Sequence, residues 1–444
     1  MSDDKHIEPA ELTEDQQHRI FLKDLMLNRS ESFCMLPWIH IHTDPSGLGA
    51  PCCIGESLKG EGIGHSNDHS LVDLVNSPKM KRLRLDMLKG IKNPECSLCH
   101  HQEKHGGNSF RKDCNKKYEH HFDEVVKTTD MNNGRITNFR MRYFDIRFSN
   151  ICNFKCRTCG SHFSSQWEQE DLKSKEATGQ PHYAIELTKG NTPEFVRDIR
   201  NQVKNLETAY FAGGEPLITD EHYVLIDEMI KQKRTDIQLV YNSNISNLRY
   251  KKRDIFKLWD KFEKVVMVSA SIDHYGDRAE YIRHGTKWKT VEKNLAKLCE
   301  SERVSLTVNT VFSVFNALTI SHFYKFMIDN HYYLPTSQPW SLYCLEQPQE
   351  YSIAILSPGH RLQVIQQLRL AIQYMQDLEF SAVHTQPLEQ AIKWINNLGE
   401  CTWETHKTRF REEVTRIDTI RGESFVDMFP ELSYLLKPVK TLAP

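Results

Sequence analysis

Three cysteines near the middle of the chain constrain its fold and chemistry more than any other feature. Cys152, Cys156 and Cys159 follow a C-x3-C-x2-C spacing, and we call them the cluster triplet. Three thiolates this close together can ligate three irons of a cubane iron–sulfur cluster, which leaves the fourth iron without a protein ligand. Such an iron can bind a cofactor or substrate, as the open position of a catalytic metal does. The triplet therefore predicts a catalytic cluster rather than a closed electron-transfer site.

The residues around the triplet predict strands that alternate with helices. The segment 143–148 alternates apolar and polar side chains, as a strand does. Further strand-like runs lie at 208–211, 237–242, 265–272, 306–312 and 340–345. Helical patterns separate them, and this alternation is typical of parallel βαβ units. Counted from Tyr143, the units predict an α/β fold with a partial (β/α)6 TIM-like barrel, two units short of a closed one.

A glycine pair follows the second predicted strand. Gly213 and Gly214 precede Glu215 and Pro216. Glycines let backbone carbonyls approach an ammonium group closely, and the carboxylate can add charge or brace the turn. Alone, a Gly-Gly-Glu tripeptide is usually just a turn. Behind a strand and downstream of the cysteines, it indicates a binding site.

These motifs together resemble the signature of the radical S-adenosylmethionine (SAM) superfamily. The resemblance implies a six-unit partial barrel with a catalytic [4Fe-4S] cluster on the cluster triplet, at the C-terminal face of the barrel. It also implies that the segment Gly213–Glu215 receives the amino group of SAM.

Five further polar residues match cofactor-binding positions of the family. The resemblance implies that Arg283 pairs with the SAM carboxylate, a pairing that suits a guanidinium fork. Ser269 and Ser271 resemble the strand-four serine segment. Asn244 resembles the residue that reads the ribose hydroxyls, and Asn309 occupies a strand position that often faces the cofactor. The alternative for these residues is turn chemistry or a satisfied polar group inside the barrel.

Two features near the triplet are particular to this chain. The residue before the third cysteine, often aromatic in the family and close to adenine, is Thr158, so the usual adenine stacking is not expected. The most loop-like segment, 174–191, is rich in Lys, Gly, Thr and Pro and is expected to form a lid beside the triplet.

A second group of cysteines precedes the barrel. Cys34 and Cys52 frame Gly47 in a C-x12-G-x4-C pattern, and a C-x2-C pair, Cys96 and Cys99, follows. This arrangement resembles the Twitch or SPASM auxiliary-cluster module, which normally comes after the barrel. The resemblance implies a second [4Fe-4S] cluster, closed by these four thiolates without an open iron.

The ligands of this second site have alternatives. Cys53 or Cys114 could replace one of the four cysteines. A structural zinc suits two cysteine pairs equally well, and eleven of the twenty-one histidines lie before residue 122. We favour the cluster because a radical enzyme follows it in the chain.

The patterns predict four parts of the 444-residue chain. These are an N-terminal tail at 1–33, an auxiliary iron–sulfur domain at 34–120, a radical SAM core at 140–346 and a helical C-terminal extension at 347–444. The last predicted helix, 404–421, carries an apolar stripe that is expected to pack on the barrel.

Composition narrows the partners and the compartment. The formal charge of −2 gives no sign of a nucleic-acid partner. No apolar run approaches the length of a membrane span, and the polar start is not a signal peptide. Twelve cysteines in ligand-like spacings fit a reducing cytoplasm rather than a disulfide framework.

The sequence thus predicts a radical SAM oxidoreductase or maturase. The resemblance implies that a reduced cluster cleaves SAM to a 5′-deoxyadenosyl radical, which removes a hydrogen from the substrate. An external reductant such as flavodoxin or ferredoxin would supply the electron. A closed auxiliary cluster can accept the electron left on the substrate.

The sequence leaves three functions open. The leading one is modification of a peptide or protein side chain, as in peptide maturases with SPASM domains. The second is dehydrogenation of a small molecule such as an aminosugar or cyclitol; the short segment before Cys34, with no room for a leader-binding domain, favours it. The third is a zinc or iron–sulfur scaffold without turnover, which has no need for a Gly-Gly-Glu segment.

Overall fold

The computed structural model describes residues 13–104, 107–168, 170 and 193–437. The chain divides into two units: Met1–Ile146 with Thr188–Glu207, and Arg147–Leu187 with Thr208–Pro444. The predicted lid at 174–191 lies outside the described residues. Among the described helices, none combines the length and the apolar character needed to cross a membrane.

The first unit contains three short strands and several helices. The strands are β1 (His40–Thr43), β2 (Gly49–Ala50) and β3 (Tyr143–Ile146). The helices are α1 (Glu14–Asp24), α2 (Leu36–Ile39), α3 (Leu71–Val75), α4 (Pro78–Leu88), α5 (Ser97–Lys104), α6 (Phe110–Tyr118), α7 (Phe122–Thr128) and α8 (Pro193–Gln202). β1 pairs antiparallel with β2 and parallel with β3. The pairing with β3 was not predicted from the sequence.

The hairpin between β1 and β2 turns at Gly47. Its φ angle of +91° lies in the left-handed region, and a Cβ there would come within 2.6 Å of Ser66 Oγ. Only glycine fits this turn without strain. The glycine of the C-x12-G-x4-C pattern is therefore required by the backbone that connects Cys34 to Cys52.

The second unit is built on parallel strands. Its strands are β4 (Thr208–Phe211), β5 (Gln238–Ser243), β6 (Arg249–Tyr250), β7 (Arg253–Asp254), β8 (Val266–Ser271), β9 (Val304–Phe312) and β10 (Ser341–Cys344). β4, β5, β8, β9 and β10 lie side by side in that order, all parallel. β6 and β7 form a separate antiparallel pair.

Helices follow the parallel strands, as the sequence pattern predicts. They are α9 (Asp220–Lys231), α10 (Ile255–Trp259), α11 (Gly276–Ile282), α12 (Trp288–Cys299), α13 (Ile320–Asp329), α14 (Pro358–Asp377), α15 (Ala382–Asn396), α16 (Trp403–Arg421) and α17 (Phe425–Met428). All six strands predicted from the sequence are present, and the predicted α/β class is confirmed. The apolar stripe of α16 is buried at Phe410, Val414 and Ile417.

The two faces of β8 show how the strands position polar groups. Val266, Val268 and Ala270 are buried on one face. Ser269 and Ser271 alternate with them and are partly exposed on the other face. The predicted serine segment thus points away from the apolar face of its strand.

A buried arginine holds the first unit together. Arg84 on α4 is 0% exposed and donates to the carbonyl oxygens of Pro37 (2.9 Å), Gly134 (2.9 Å) and Val75 (2.5 Å). Burial lowers the pKa of its guanidinium to about 9. The charge is tolerated there because each of these donors has an acceptor.

We expect Arg84→Met to lower the free energy of unfolding by about 3 kcal/mol, since three buried carbonyls lose their donor. Chemical denaturation measures the change. Arg82→Met on the same helix is the matched control: Arg82 is 73% exposed and pairs with Asp86, so its loss costs about 0.5 kcal/mol. Equal effects of the two substitutions would contradict the role of Arg84.

Candidate active site

The loop that carries the cluster triplet is fixed by main-chain hydrogen bonds within the second unit. We call residues 149–164 the cluster loop. The N–H groups of Lys155 and Arg157 donate to the carbonyls of His284 and Ile282, each at 2.8 Å. These bonds tie the middle of the loop to the C-terminal end of α11 and the residues that follow it.

The cluster triplet opens onto a cavity of about 290 Å³. Six of the eight predicted cofactor-binding residues line the same cavity: Gly213, Gly214, Glu215, Asn244, Ser271 and Arg283. These residues come from the ends of several parallel strands and from the residues after α11, which is where α/β folds place their binding sites.

Two predicted residues, Ser269 and Asn309, are not among the described residues that line the cavity. Ser269 lies on the same face of β8 as Ser271 but two residues earlier. Asn309 is the register partner of Ser271 on β9. Its Oδ1 is buried and accepts no hydrogen bond from the described residues, so it can accept one from a bound ligand.

The glycine pair allows the cluster loop to approach the turn after β4. Gly213 and Gly214 have φ angles of +83° and +50°. A Cβ on Gly214 would lie 2.3 Å from the carbonyl oxygen of Ile151, and one on Gly213 would lie 2.8 Å from Arg147 Cβ. The sequence interpretation gave these glycines a role toward an ammonium group; within the protein they make room for the loop of the cysteines.

Glu215 braces this turn. Its carboxylate accepts hydrogen bonds from Leu217 N–H (3.1 Å), Ser243 Oγ–H (2.8 Å) and Asn244 N–H (2.7 Å). Burial raises the pKa of the carboxyl to about 7, and these three donors and the charge of Arg283 limit the rise. Of the two roles the sequence suggested, the bracing role is the one its hydrogen bonds perform, because they link the ends of β4 and β5.

Arg283 brings a positive charge to the cysteines. Its Nε donates to Asp273 Oδ2 at 2.8 Å, and its Nη1 lies 3.6 Å from the sulfur of Cys156. Burial disfavours the charged form, but Asp273 and the Cys156 sulfur outweigh it, so the pKa of Arg283 lies above its usual value. Its Nη2 also donates to Asp273 Oδ1, at 3.4 Å, which leaves one N–H on Nη1 and one on Nη2 for a carboxylate.

Asn244 is held by its neighbours. Its Nδ2 donates to Asn153 Oδ1 on the cluster loop at 3.0 Å, and its Oδ1 accepts from the N–H and Oγ–H of Ser246. The side chain therefore links the end of β5 to the cluster loop. The sequence singled out Asn244 but gave no sign of Asn153 as its partner.

Aromatic residues line the cavity although Thr158 is not one of them. Thr158 lies at the cavity, as do Phe154, Phe163 and Tyr210. Phe163 is 41% exposed, so its ring is available for stacking. Its position four residues after the third cysteine carries no family signal in a single chain, so Phe163 could not be identified from the sequence.

The donor set fits an iron–sulfur cluster. Burial raises the pKa of each triplet thiol, that of Cys159 to about 12, so a nearby cation is needed to hold thiolates. Among the described residues, no cysteine belongs to a group of three or more metal-ligating side chains whose donor atoms all lie within 4.8 Å of one another. A tetrahedral zinc holds its thiolates about 3.8 Å apart. In a cubane each cysteine ligates a different iron, so the sulfurs lie farther apart.

The C-terminal end of α16 and the residues after it grip the cluster loop, which the sequence analysis did not anticipate. Arg157, 0% exposed, donates from Nη2 to Asp418 Oδ1 and Glu423 Oε2, each at 2.5 Å. Its guanidinium lies 3.6 Å from the ring centre of Tyr281, whose hydroxyl also donates to Asp418 (2.8 Å). Glu423 accepts from His284 Nδ1 as well, at 2.5 Å.

A second arginine extends this grip to the residue before Cys156. Arg421 donates to the Lys155 carbonyl (2.9 Å) and to Glu170 (2.9 Å), and its guanidinium lies 4.9 Å from the ring centre of Trp167. The Trp167 indole N–H donates to the Cys156 carbonyl at 3.1 Å. We call this set of interactions around Arg157 and Arg421 the C-terminal clamp.

The structure also gathers the N-terminal cysteines. Burial raises the pKa of Cys34, and the charges of Cys114 and Cys99 raise it further. Burial raises the pKa of the Cys96 thiol, and the neighbouring Cys34 and Cys99 raise it further. Burial likewise raises the pKa of the Cys52 thiol, and Cys53, Cys34 and Cys96 add to this rise. All four predicted ligands therefore share one neighbourhood.

Cys114 belongs to the same neighbourhood. Cys114 is buried on α6, and among the neighbouring thiols it raises the pKa of Cys34 the most. Arg111, one turn earlier on this helix and 3% exposed, donates to the Phe33 carbonyl at 2.7 Å and to Glu103. Cys114, an alternative ligand predicted from the sequence, therefore lies close enough to the other cysteines to replace one of them as a ligand.

Family models match two parts of the chain. A model described as the radical SAM superfamily matches residues 146–327, and a model described as an iron–sulfur cluster-binding domain, SPASM, matches residues 34–101. No curated protein matches the chain.

Several solved structures are similar to this chain at low identity. One is anSMEcpe with bound AdoMet, at 16% identity and a TM-score of 0.35, over 53% of this chain and 60% of that one. Another is SuiB of Streptococcus suis, at 14% identity and a TM-score of 0.36, over 69% of this chain and 64% of that one. The structure of SuiB bound to its precursor peptide SuiA has 14% identity to this chain and a TM-score of 0.34. The match thus spans about 60% of the length of anSMEcpe.

We expect Gly214→Ala to destabilise the second unit by about 3 kcal/mol, because a positive φ angle and an overlap with the Ile151 carbonyl act together. Chemical denaturation and iron content after anaerobic reconstitution measure the effect. Gly160→Ala on the same cluster loop is the matched control: its Cβ would meet nothing within 4 Å, so we expect a change of about 0.5 kcal/mol or less. Normal iron content in Gly214→Ala would contradict this interpretation.

We expect Arg157→Gln to lower stability by about 3 kcal/mol and to speed the loss of cluster absorbance in the presence of a chelator, because Asp418 and Glu423 lose their buried partner. Arg278→Gln serves as the control. Arg278 pairs with Glu431 in the same C-terminal region but makes no contact of this kind with the cluster loop, and its loss should cost about 1 kcal/mol or less. An unchanged rate of cluster loss in Arg157→Gln would contradict the claim that the C-terminal clamp stabilises the cluster loop.

Proposed function

Because the chain belongs to the radical SAM superfamily, with a SPASM-type iron–sulfur domain before the radical SAM core, we propose that it oxidises a peptide or protein side chain by hydrogen abstraction. Its cofactors are [4Fe-4S] clusters and SAM. The observation that carries the proposal is that the cluster triplet, the Gly213–Glu215 segment and Arg283 line one cavity. A scaffold without turnover has no use for this combination.

In this proposal Cys152, Cys156 and Cys159 hold three irons of the catalytic cluster. When bound, the cluster and SAM supply one electron and a carbon-centred radical that removes a hydrogen atom from the substrate. The N–H group of Phe154, 3.4 Å from the Cys152 sulfur, and the guanidinium of Arg283 compensate thiolate charge. Hydrogen bonds and charges of this kind set the reduction potential of a cluster.

The other lining residues would orient SAM. Arg283 has donors left for a carboxylate, and Gly213 and Gly214 line the same cavity, where their carbonyls would receive the ammonium group. Asn309 has an unused buried acceptor. We assign stacking on the adenine to Phe163, whose ring is exposed. It would replace the aromatic residue that the family often has at the position of Thr158.

The N-terminal cysteines would complete the oxidation. We propose an auxiliary cluster on Cys34, Cys52, Cys96 and Cys99, with Cys53 or Cys114 as the alternative to one of them. A fully ligated cluster can accept the electron left on the substrate radical. In this proposal the chain has four parts: an N-terminal tail, the auxiliary iron–sulfur domain, the radical SAM core and a helical C-terminal extension, at 1–33, 34–120, 140–346 and 347–444.

The peptide substrate is proposed because SPASM domains occur in peptide maturases, and the chain matches that domain at residues 34–101. An external flavodoxin- or ferredoxin-like protein would be the electron donor. A dehydrogenase of aminosugars or cyclitols is the alternative. Substrate-dependent transfer of deuterium into 5′-deoxyadenosine, from labelled peptides and labelled cyclitols in parallel, distinguishes the two.

We expect the anaerobically reconstituted protein to contain about eight irons per chain and to release 5′-deoxyadenosine on reduction with SAM. Cys156→Ala should abolish this release, because the catalytic cluster loses a ligand. Cys96→Ala should retain it while forming no oxidised product. Nucleoside formation is measured by chromatography with mass detection.

Cys299→Ala is the matched control, since Cys299 is an exposed cysteine outside both groups and should change neither readout. Equal loss of cleavage in Cys156→Ala and Cys96→Ala would contradict the division of labour between the two centres. If the protein binds zinc and releases no 5′-deoxyadenosine, the proposed enzyme activity is wrong and the scaffold without turnover is the remaining function.

A further inference from the structure

Two adjacent histidines and a distant glutamate meet in the first unit, and neither cysteine group is involved. His120 and His121 form a short 3₁₀ turn with Glu119, between α6 and α7. Glu207 follows α8 in the sequence, and its N–H donates to the Arg142 carbonyl at 2.9 Å. One donor atom from each of His120, His121 and Glu207 lies within 4.8 Å of the other two.

Both imidazoles present the same nitrogen to the carboxylate. His120 Nε2 lies 3.1 Å from Glu207 Oε2, and His121 Nε2 makes a hydrogen bond to Glu207 Oε1. The rings of His120 and His121 are stacked at an angle, with centres 4.1 Å apart. The two Nε2 atoms and the carboxylate therefore converge on one point.

The separation of His120 Nε2 from Glu207 Oε2 matches the edge of a metal coordination sphere. Zinc binds imidazole nitrogen and carboxylate oxygen at about 2.0–2.1 Å, so two ligands of a tetrahedral ion lie about 3.3 Å apart. Two histidines and a carboxylate are a ligand set that zinc uses with a fourth position left open. The 3.1 Å separation at His120 is close to this value, and small rotations of the side chains admit an ion.

The far side of His121 faces a second carboxylate. Its Nδ1 lies 3.7 Å from Glu124 Oε2, just beyond hydrogen-bond distance. Glu124 is in turn held by Arg142 at 2.8 Å and Arg140 at 3.1 Å. A small movement of the His121 ring lets Nδ1 donate to this carboxylate, and such a bond fixes the tautomer and directs Nε2 toward a metal. An ion pair with Glu207 alone has no need of this second carboxylate.

The three ligands differ in their exposure to solvent. The side chain of His121 is 12% exposed, that of Glu207 is 30% exposed and that of His120 is 55% exposed. The inner ligands are thus partly desolvated, and the outer one opens the group to water and to ions in solution. A fourth ligand can come from water.

We propose that His120, His121 and Glu207 bind a divalent first-row transition ion, Zn²⁺ in the first place, as a metal site that uses no cysteine. The ion replaces the hydrogen bonds to Glu207, with both imidazoles neutral, and ties the 3₁₀ turn at 119–121 to the residue that precedes β4 in the sequence. The site does not depend on the radical chemistry proposed above.

The test is zinc binding to the reconstituted full-length protein, with both iron–sulfur centres loaded so that the cysteines that ligate them do not bind zinc. Zinc is added, excess metal is removed by gel filtration, and zinc and iron per chain are measured by mass spectrometry. We expect one zinc per chain in the wild type. His121→Ala and Glu207→Gln should each weaken zinc binding at least tenfold, and Glu124→Gln, behind the ligand, by about tenfold.

His18→Ala, which removes an exposed histidine elsewhere in the first unit, is the matched control and should bind zinc as the wild type does. Iron content should be equal in all variants, which separates loss of this site from damage to the clusters. Zinc bound equally by the wild type and by the His120→Ala/His121→Ala double variant would overturn the proposal and leave an ion pair. Binding of Mn²⁺ in preference to Zn²⁺ would overturn the choice of metal.

Discussion

The close approach of the cluster loop to the turn after β4 is the constraint on which the candidate active site depends. The carbonyl of Ile151 accepts the N–H of Glu215 at 2.8 Å, and it can do so only because Gly214 has no Cβ in its path. Glu215 then connects this turn to β5 through Ser243 and Asn244. Three segments far apart in sequence are thereby held as one wall, and the buried carboxylate of Glu215 joins them.

The sequence predicts local features well. The strands follow from apolar runs and their periodicity, and the triplet Cys152, Cys156 and Cys159 follows from its spacing. The Gly-Gly-Glu segment is also identified from the sequence and lines the same cavity as the triplet, and the hydrogen bonds of Glu215 give it a bracing role that spacing alone left open. In each case the physical signal lies within a few neighbouring residues.

What sequence reasoning missed depends on partners far along the chain. β1 reads His-Ile-His-Thr, too short and polar to indicate a strand, and it is a strand because it pairs with β3. Arg157 looks like a surface residue of a loop until Asp418 and Glu423 surround it. His121 and Glu207 are 86 positions apart, so no motif connects them. Tertiary pairing, rather than propensity, decides all three.

The C-terminal clamp has a consequence for the order of assembly during synthesis. Asp418 and Glu423 are 261 and 266 positions beyond Arg157. At a ribosomal rate of roughly 5–20 residues per second, the cluster loop is made at least about 13 seconds before its anchor. During that interval Arg157 lacks the two carboxylates that pair with it, so the clamp does not yet hold the cluster loop. The last part of the chain then fixes a loop that was made long before it.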